Sequence, residues 1–172
     1  MAQVRHLKAE TVSSLTRATG IGKATAALLA EEGCQKIVIA DRNVESLDAV
    51  VASIKNHHPG TDVKTTFVDV KSETSVEQMV EYVVKTFGRI DYCANVAGII
   101  RYGDTSVLSV EDFDEVQSIN LRGIFLCAKA EITAMLLQKP LQNKYSLCNP
   151  IFIDYKTNRL LDSLHFPPEV QL

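Results

Sequence analysis

The sequence predicts an α/β protein with a doubly wound parallel sheet. Three observations predict this fold class. Apolar strand-like runs alternate with amphipathic helical stretches, two glycines open the first helix, and a carboxylate ends the strand that follows that helix. The alternation extends from about residue 17 to residue 140. We therefore expect a partial sheet over this range, with helices on both of its faces.

Composition excludes several classes of protein. A chain of 172 residues with a net charge of −3 fits one globular domain, and it has no basic block for a nucleic-acid partner. Its apolar runs are too short to cross a bilayer, and its first ten residues lack an apolar signal core. The cysteines are scattered, which predicts buried thiols, no metal site and a cytoplasmic location. They are Cys34, Cys93, Cys127 and Cys148.

The first half of the chain contains two helices and two strands. A helix of small residues over 22–32 ends at Gly33, and a buried strand over 36–40 follows it. Asn43 is a candidate cap for a second helix. That helix is predicted to bury one face, formed by Val44, Leu47, Val51 and Ile54. A strand over 63–70 comes next.

The second half begins with the most regular helix. Ser72 starts it, Gly88 follows it, and its apolar stripe comprises Val76, Met79, Val80, Val83, Val84 and Phe87. A strand over 90–95 and a loop containing glycine follow. Ser109 and Asp112 form a start resembling a capping box, for a long helix that reaches about residue 137.

The glycines and the first strand-end acid indicate a dinucleotide site. Gly20 and Gly22 allow a phosphate to approach the helix start closely, because glycine has no Cβ. Asp41 ends the next strand, where a carboxylate accepts hydrogen bonds from ribose hydroxyls and repels a 2′-phosphate. NAD is therefore favoured over NADP. Arg42 could instead pair with that phosphate, which keeps NADP as the alternative.

Five short motifs follow one another along residues 17–140: Thr19-Gly20-Ile21-Gly22, Asp41-Arg42, Asp69-Val70, Asn95-Val96-Ala97-Gly98 and Asn120-Leu121-Arg122-Gly123. In order and spacing they resemble the short-chain dehydrogenase/reductase family. The sequence is similar to fungal members that act in secondary metabolism or that resemble 3-oxoacyl reductases. The resemblance implies a Rossmann-like domain that binds NAD or NADP. It also implies hydride transfer between a carbonyl and a secondary alcohol, both small molecules.

The resemblance also implies roles for individual residues. Ile21 would back the pyrophosphate loop, and Asp69 would hydrogen-bond the adenine amino group. Asn95 would steady the central sheet beside the cofactor, in the motif that ends at Gly98. Asn120 would bend the long helix and hold a water in the proton relay, which makes it the catalytic candidate.

Simpler interpretations stay open for two of these residues. Asp69 could only cap the helix that follows Lys71. Asn120 could be a polar residue inside a helix with a local hydrogen bond. Val96 is a mild departure, because the family usually has a second asparagine there.

Both ends of the chain depart from the family pattern. Residues 1–16 form an atypical segment in place of the first strand, with Thr16 where the family has glycine. Residues 141–172 form a tail unlike the family, so the later strands and the catalytic helix are expected to be missing. No tyrosine has lysine four residues later, and no catalytic serine is recognisable. We expect a retained intron, a frameshift or a misplaced gene boundary, which a transcript sequence would decide.

Three functional hypotheses follow. The first is a short-chain oxidoreductase by ancestry whose activity is doubtful without its tyrosine and lysine. The second is a catalytically silent module that binds a nucleotide or a partner, and the third is an unstable fragment. The resemblance also implies homo- or hetero-oligomers through the helix over 110–137.

Overall fold

The computed structural model describes residues 20–139, together with the backbone of residues 12–15, 153–154 and 159–160. Strands and helices alternate along the chain, as the sequence predicts. The strands are β1 (Val12–Leu15), β2 (Lys36–Asp41), β3 (Asp62–Phe67), β4 (Tyr92–Asn95), β5 (Ile153–Asp154) and β6 (Arg159–Leu160). The helices are α1 (Ile21–Glu31), α2 (Leu47–His57), α3 (Glu73–Phe87), α4 (Val110–Gln117) and α5 (Ile124–Leu137).

Four strands form one parallel sheet in the order β3-β2-β1-β4. Crossover helices connect them, so this is the arrangement of a doubly wound fold, as predicted. The short strands β5 and β6 pair with each other in an antiparallel ladder. The described residues therefore confirm an α/β fold with a partial parallel sheet.

Strand β1 lies at the centre of the sheet. Its backbone pairs with β2 on one side and β4 on the other, so that Leu15 lies level with Ala40 and Asn95. The polar composition of residues 1–16 predicts an atypical segment at this place. The backbone nevertheless forms the ladder, because every non-proline residue carries the N–H and C=O groups that a ladder needs. Thr16, which stands where the family has glycine, lies outside the described residues.

The two faces of β2 are buried in two separate cores. Ile37 and Ile39 pack with α1 and α2, whereas Val38 and Ala40 pack with α3 and α5. Successive side chains of a strand point to opposite faces, so a continuous apolar run is buried on both sides. Helices therefore cover both faces of the sheet, with two on each.

Helix α2 begins later than predicted and buries a different face. A short 3₁₀ turn occupies Val44–Ser46, and the Asn43 side chain makes no capping hydrogen bond to it. Leu47 and Ile54 are buried as predicted, but Val50 completes the buried face, and Val44 is 49% exposed. The 3₁₀ turn has three residues per turn, which rotates Val44 away from the stripe that follows.

Helix α3 matches its prediction closely. The Ser72 side chain accepts a hydrogen bond from the Ser75 N–H at 3.3 Å, and Gly88 ends the helix with φ of 83°. Both devices satisfy backbone groups that have no partner inside the helix. Val76, Met79, Val80 and Val83 are buried, and Val84 is partly exposed.

The predicted long helix is continuous but not uniform. It comprises α4, a π-helical turn over Ser118–Gly123, and α5. The Ser109 side chain caps it by accepting from the Asp112 N–H at 3.0 Å. The π turn widens the helix around Asn120, and such turns are frequent at functional sites. None of the helices in the described residues is long and apolar enough to span a membrane.

Candidate nucleotide site at the strand ends

The candidate site lies at the carboxyl edge of the parallel sheet. Asp41 ends β2, Asn95 ends β4, and Asp69 follows β3 by two residues. Gly20 comes between β1 and α1 at the same edge. Because parallel strands share one direction, the turns that hold these residues all meet at this edge, where ligands bind in open α/β sheets.

Gly20 opens helix α1 in a conformation that favours glycine. Its φ is 64°, a backbone angle that favours glycine, and an added Cβ would find no atom of the described residues within 4 Å. Gly22 is buried in the first turn, whereas Ile21 is 60% exposed. The remaining motif residue, Thr19, lies outside the described residues.

The first turn of α1 contains no acidic residue, and its N-cap residue, Gly20, has no side chain that could cap it. The first turns of α2, α3 and α4 carry Asp48, Glu73 and Glu111 with Asp112, respectively. Acidic side chains there offset the positive end of a helix. Within the described residues, no first-turn acid offsets the positive end of α1, and such a helix start can bind an anion.

The two strand-end acids are held by local backbone groups. Asp41 Oδ1 accepts from the Asn43 N–H at 2.8 Å, and Asp69 Oδ1 accepts from the Lys71 N–H at 3.0 Å. These are Asx turns, which orient a carboxylate at the end of a strand. The Asp69 turn agrees with the simpler interpretation of this residue as part of the helix cap, because the turn leads into the Ser72 cap of α3. The second Asp69 oxygen has no hydrogen-bond partner among the described residues, so it is available to a ligand.

Asn120 holds the loop after β4. Its Oδ1 accepts from the Ile99 N–H and its Nδ2 donates to the Ile99 C=O, each at 2.9 Å. An added Cβ on Gly98 would lie 3.5 Å from Asn120 Oδ1, an ordinary contact. The structure thus brings Asn120 and Gly98 together, and it places the polar side chain against a loop rather than within its own helix.

Asn95 makes a contact that the sequence did not indicate. Its Nδ2 donates to Glu131 Oε2 at 2.7 Å, and Glu131 is 2% exposed. Burial raises the pKa of Glu131 to about 7, although hydrogen bonds from Asn95 and Cys93 oppose that shift. Burial and the charge of Glu131 also raise the pKa of Cys127 to about 12. A carboxylate within the apolar stretch of α5 was the available sequence signal.

Gly123 and Gln138 also fix this region without having been predicted to do so. A Cβ on Gly123 would lie 2.8 Å from Cγ2 of Val70, a residue that follows β3. The π turn can therefore come this close to Val70 only with glycine at position 123. The Gln138 side chain accepts from the Ile90 N–H at 3.0 Å and donates to the Ile90 C=O at 2.5 Å. The Gln138 contact positions the residues that lead into β4, whereas the Gly123 contact lies beside the segment that follows β3.

Two other candidate features do not involve these residues. A groove of about 410 Å³ between α3 and α5 is lined mainly by apolar side chains, and none of the predicted nucleotide residues lines it. Within residues 20–139, no group of three or more His, Cys, Asp or Glu side chains could hold a metal ion.

Comparison with known proteins agrees with this geometry. A family model described as short chain dehydrogenase matches residues 12–141. Chanoclavine-I dehydrogenase from Penicillium roqueforti is 36% identical over 124 residues, which cover 69% of this chain and 48% of that protein.

Solved structures share the same fold. Levodione reductase aligns with a TM-score of 0.70 and 37% identity, over 73% of this chain and 49% of its own. NAD⁺-bound xylitol dehydrogenase aligns with a TM-score of 0.69 and 34% identity, over 74% and 48% of the two chains. The chain spans about half the length of the curated relatives it matches. The chain belongs to the short-chain dehydrogenase family.

Proposed function

We propose that the described residues form the nicotinamide-nucleotide-binding half of an oxidoreductase. The reaction class is hydride transfer between a carbonyl and a secondary alcohol. One observation carries the proposal: helix α1 starts at Gly20 with φ of 64° and no acid in its first turn, beside a strand that ends in Asp41. That arrangement suits a pyrophosphate at the helix start and a ribose at the acid.

The residues present fit a dinucleotide. The first amides of α1 would bind the pyrophosphate, the Asp41 carboxylate would accept from ribose hydroxyls, and the second Asp69 oxygen would accept from the adenine amino group. The turn from Asn95 to Gly98 would line the nicotinamide end. When bound, the nicotinamide ring supplies or receives the hydride.

NAD is the preferred cofactor in this proposal. The Asp41 carboxylate would repel the 2′-phosphate of NADP, since two negative charges would meet at the ribose. Arg42 is exposed next to it, and its guanidinium is the chemistry that NADP would use. The similarity to NAD⁺-bound xylitol dehydrogenase supports a nicotinamide cofactor.

Asn120 has a positioning role in this proposal and a catalytic one. Its side-chain amide holds Ile99 by two hydrogen bonds, which fixes the loop that borders the nicotinamide end. Its place in the π turn supports a part in the proton relay, because π turns often mark functional residues.

We propose that this chain by itself binds the cofactor without efficient turnover. The 172 residues contain no Tyr-x-x-x-Lys pair to donate or accept the substrate proton. General acid–base catalysis typically contributes about 10²–10⁴-fold to a rate, so its loss is severe. The alternative is a silent nucleotide- or partner-binding module, and the same absence favours it.

A turnover screen tests this part of the proposal. Purified chain would be mixed with NADH or NADPH and a panel of ketones, aldehydes and secondary alcohols, with absorbance at the nicotinamide band as readout. We expect no turnover above a heat-treated control. Robust ketone reduction by the chain alone would contradict the proposal.

We also propose that the helix over 110–137 associates with a second copy. Its exposed apolar side chains include Phe113 (52%), Leu121 (67%) and Phe125 (63%). Antiparallel packing centred on Ser118 would set Asp114 opposite Arg122 of the second copy, which pairs opposite charges. Light scattering should give a dimer mass that Phe125→Ser reduces to the monomer mass, and a monomer at all concentrations would refute this.

Location and pathway complete the proposal. Cys127 is a buried thiol, which suits the reducing cytoplasm. The resemblance of residues 17–140 to fungal members suggests a substrate of secondary metabolism. Imaging of the tagged protein would test the first point, and metabolite profiling of a deletion strain would test the second.

A further inference from the structure

Three side chains, two from the long helix and one from the residue that follows it, hold β4 and the segments on either side of it. Gln138 bonds both backbone groups of Ile90, Glu131 bonds the Asn95 side chain, and Asn120 bonds both backbone groups of Ile99. Asn120 lies in the π turn, Glu131 lies within α5, and Gln138 directly follows the end of α5. The last two contacts hold both ends of the Asn95–Ile99 segment.

The middle contact differs chemically from the other two. Gln138 and Asn120 each donate and accept, so both of their amide atoms are satisfied. By contrast, Asn95 Oδ1 and Glu131 Oε1 are buried and have no hydrogen-bond partner among the described residues. Both atoms are acceptors when Glu131 is ionised, whereas a proton on Glu131 would turn one of its oxygens into a donor.

The surroundings of Glu131 favour the neutral acid. The titratable groups that face it from the described elements are the thiols of Cys93 on β4 and Cys127 on its own helix, and neither supplies a positive charge. The raised pKa of Glu131, about 7, agrees with this environment. The hydrogen bonds from Asn95 and Cys93 stabilise the carboxylate, but burial without a cationic partner costs more, so ionisation would favour an opened contact in which water reaches Glu131.

We propose that Glu131 is a positioning residue which, as a neutral acid, holds Asn95 and the Asn95–Ile99 segment in the shape that cofactor binding needs. The cofactor part rests on the proposed function above. The positioning part concerns the chain without ligand and can be tested separately. Ionisation of Glu131 then releases the segment as the pH rises.

Hydrogen exchange on the ligand-free chain tests the positioning. Protection factors of the Asn95–Ile99 amides, corrected for intrinsic exchange, would be divided by those of Val38–Ala40 in β2 at pH 6 and pH 8. For the wild type we expect this ratio to fall about tenfold, as the protonated fraction of Glu131 falls from about 0.9 to about 0.1. Glu131→Gln, which is neutral at both pH values, should keep the ratio constant.

Two further variants separate positioning from general stability. Glu131→Ala should lower the ratio at both pH values, whereas the exposed Glu81→Ala should not change it. If Glu131→Ala does not fold, the comparison of the wild type with Glu131→Gln still tests whether Glu131 positions the Asn95–Ile99 segment. An equal pH response in those two proteins, or equal changes in both strands, would overturn the proposal.

NADH titration of the same proteins distinguishes the two proposals. We expect the Kd of the wild type to rise about tenfold from pH 6 to pH 8 and that of Glu131→Gln to stay within about threefold. A wild type that binds no NADH would overturn the proposed function, while the exchange ratio would still decide the role of Glu131. NADH binding without this difference in pH response would overturn the link between Glu131 and the cofactor.

Discussion

At the residue scale, Gly123 is tightly constrained by packing. An added Cβ would meet Val70 Cγ2 at 2.8 Å, Val70 Cβ at 3.1 Å and the Val70 carbonyl at 3.2 Å. We expect Gly123→Ala to lower the free energy of unfolding by about 1–3 kcal/mol, because backbone must move to relieve the overlap. Gly60→Ala is the matched control, since its Cβ would have no atom within 4 Å. Equal urea midpoints for the two variants would contradict this packing.

We propose that Asp41 sets the cofactor preference of the site. We expect Asp41→Ala to weaken NADH binding roughly tenfold, because it removes the acceptor for the ribose hydroxyls. NADPH binding should weaken less or improve, since the repulsion of its phosphate is removed. Asp48→Ala, with the same change of charge on the exposed side of α2, should leave both affinities unchanged. Calorimetric titrations showing equal losses for both cofactors would rule out this role for Asp41.

Glu131 should make folding stability depend on pH. Its pKa rises from 4.5 to about 7 in the folded chain, so between these values the native state keeps a proton that the unfolded chain releases. The stabilisation is complete below about pH 4.5 and is lost as the pH rises through about 7. Relative to Glu131→Gln, the free energy of unfolding should fall by on the order of 3 kcal/mol. Parallel pH profiles from urea denaturation of the two proteins would contradict the buried neutral acid.

At the element scale, the long helix acts as the support for β4. The side-chain amide of Gln138, just beyond α5, makes the two hydrogen bonds to Ile90 that the backbone of a neighbouring strand would otherwise make. The Asn120 side chain in the π turn makes the same pair of bonds to Ile99. Strand β4 and its flanking segments are thus positioned from one side by a single helix. Asn120 can lie within the long helix because both of its amide atoms are hydrogen-bonded to Ile99.

Gln138 gives a direct test of that support. We expect Gln138→Ala to destabilise the chain by about 1–2 kcal/mol, because both backbone groups of Ile90 lose their partner. Gln78→Ala, at an exposed position of α3, should change stability by less than about 0.5 kcal/mol. Thermal melts that rank the two variants equally would show that the helix does not hold Ile90.

Sequence patterns predicted some elements better than others, for physical reasons. The start and end of α3 were predictable because Ser72 and Gly88 supply local signals that the structure uses. The buried face of α2 was predicted partly wrongly, because the 3₁₀ turn at Val44 breaks the helical period and no local signal marks it. The contacts of Glu131 and Gln138 join residues 36 and 48 positions apart, and periodicity carries no information at that range.

At the scale of the whole molecule, the strand order follows from the alternation of elements. The order β3-β2-β1-β4 places Gly20, Asp41, Asp69 and Asn95 at one sheet edge, which the sequence motifs predicted through their positions after strands. The polar side chains of residues 1–16 predicted that no regular strand would form there. The backbone of β1 nevertheless pairs with β2 on one side and β4 on the other. Backbone hydrogen bonds, which do not depend on side-chain polarity, therefore hold β1 at the centre of the sheet.

The central claim is that this chain binds a nicotinamide nucleotide at the strand ends. Its most direct test is titration of NADH into the purified chain of 172 residues, followed by NADH fluorescence, with circular dichroism melts confirming a cooperative fold. We predict a saturable signal that AMP competes away and that Asp41→Ala weakens. A cooperatively folded chain with no saturable NADH signal up to millimolar concentration would contradict the claim.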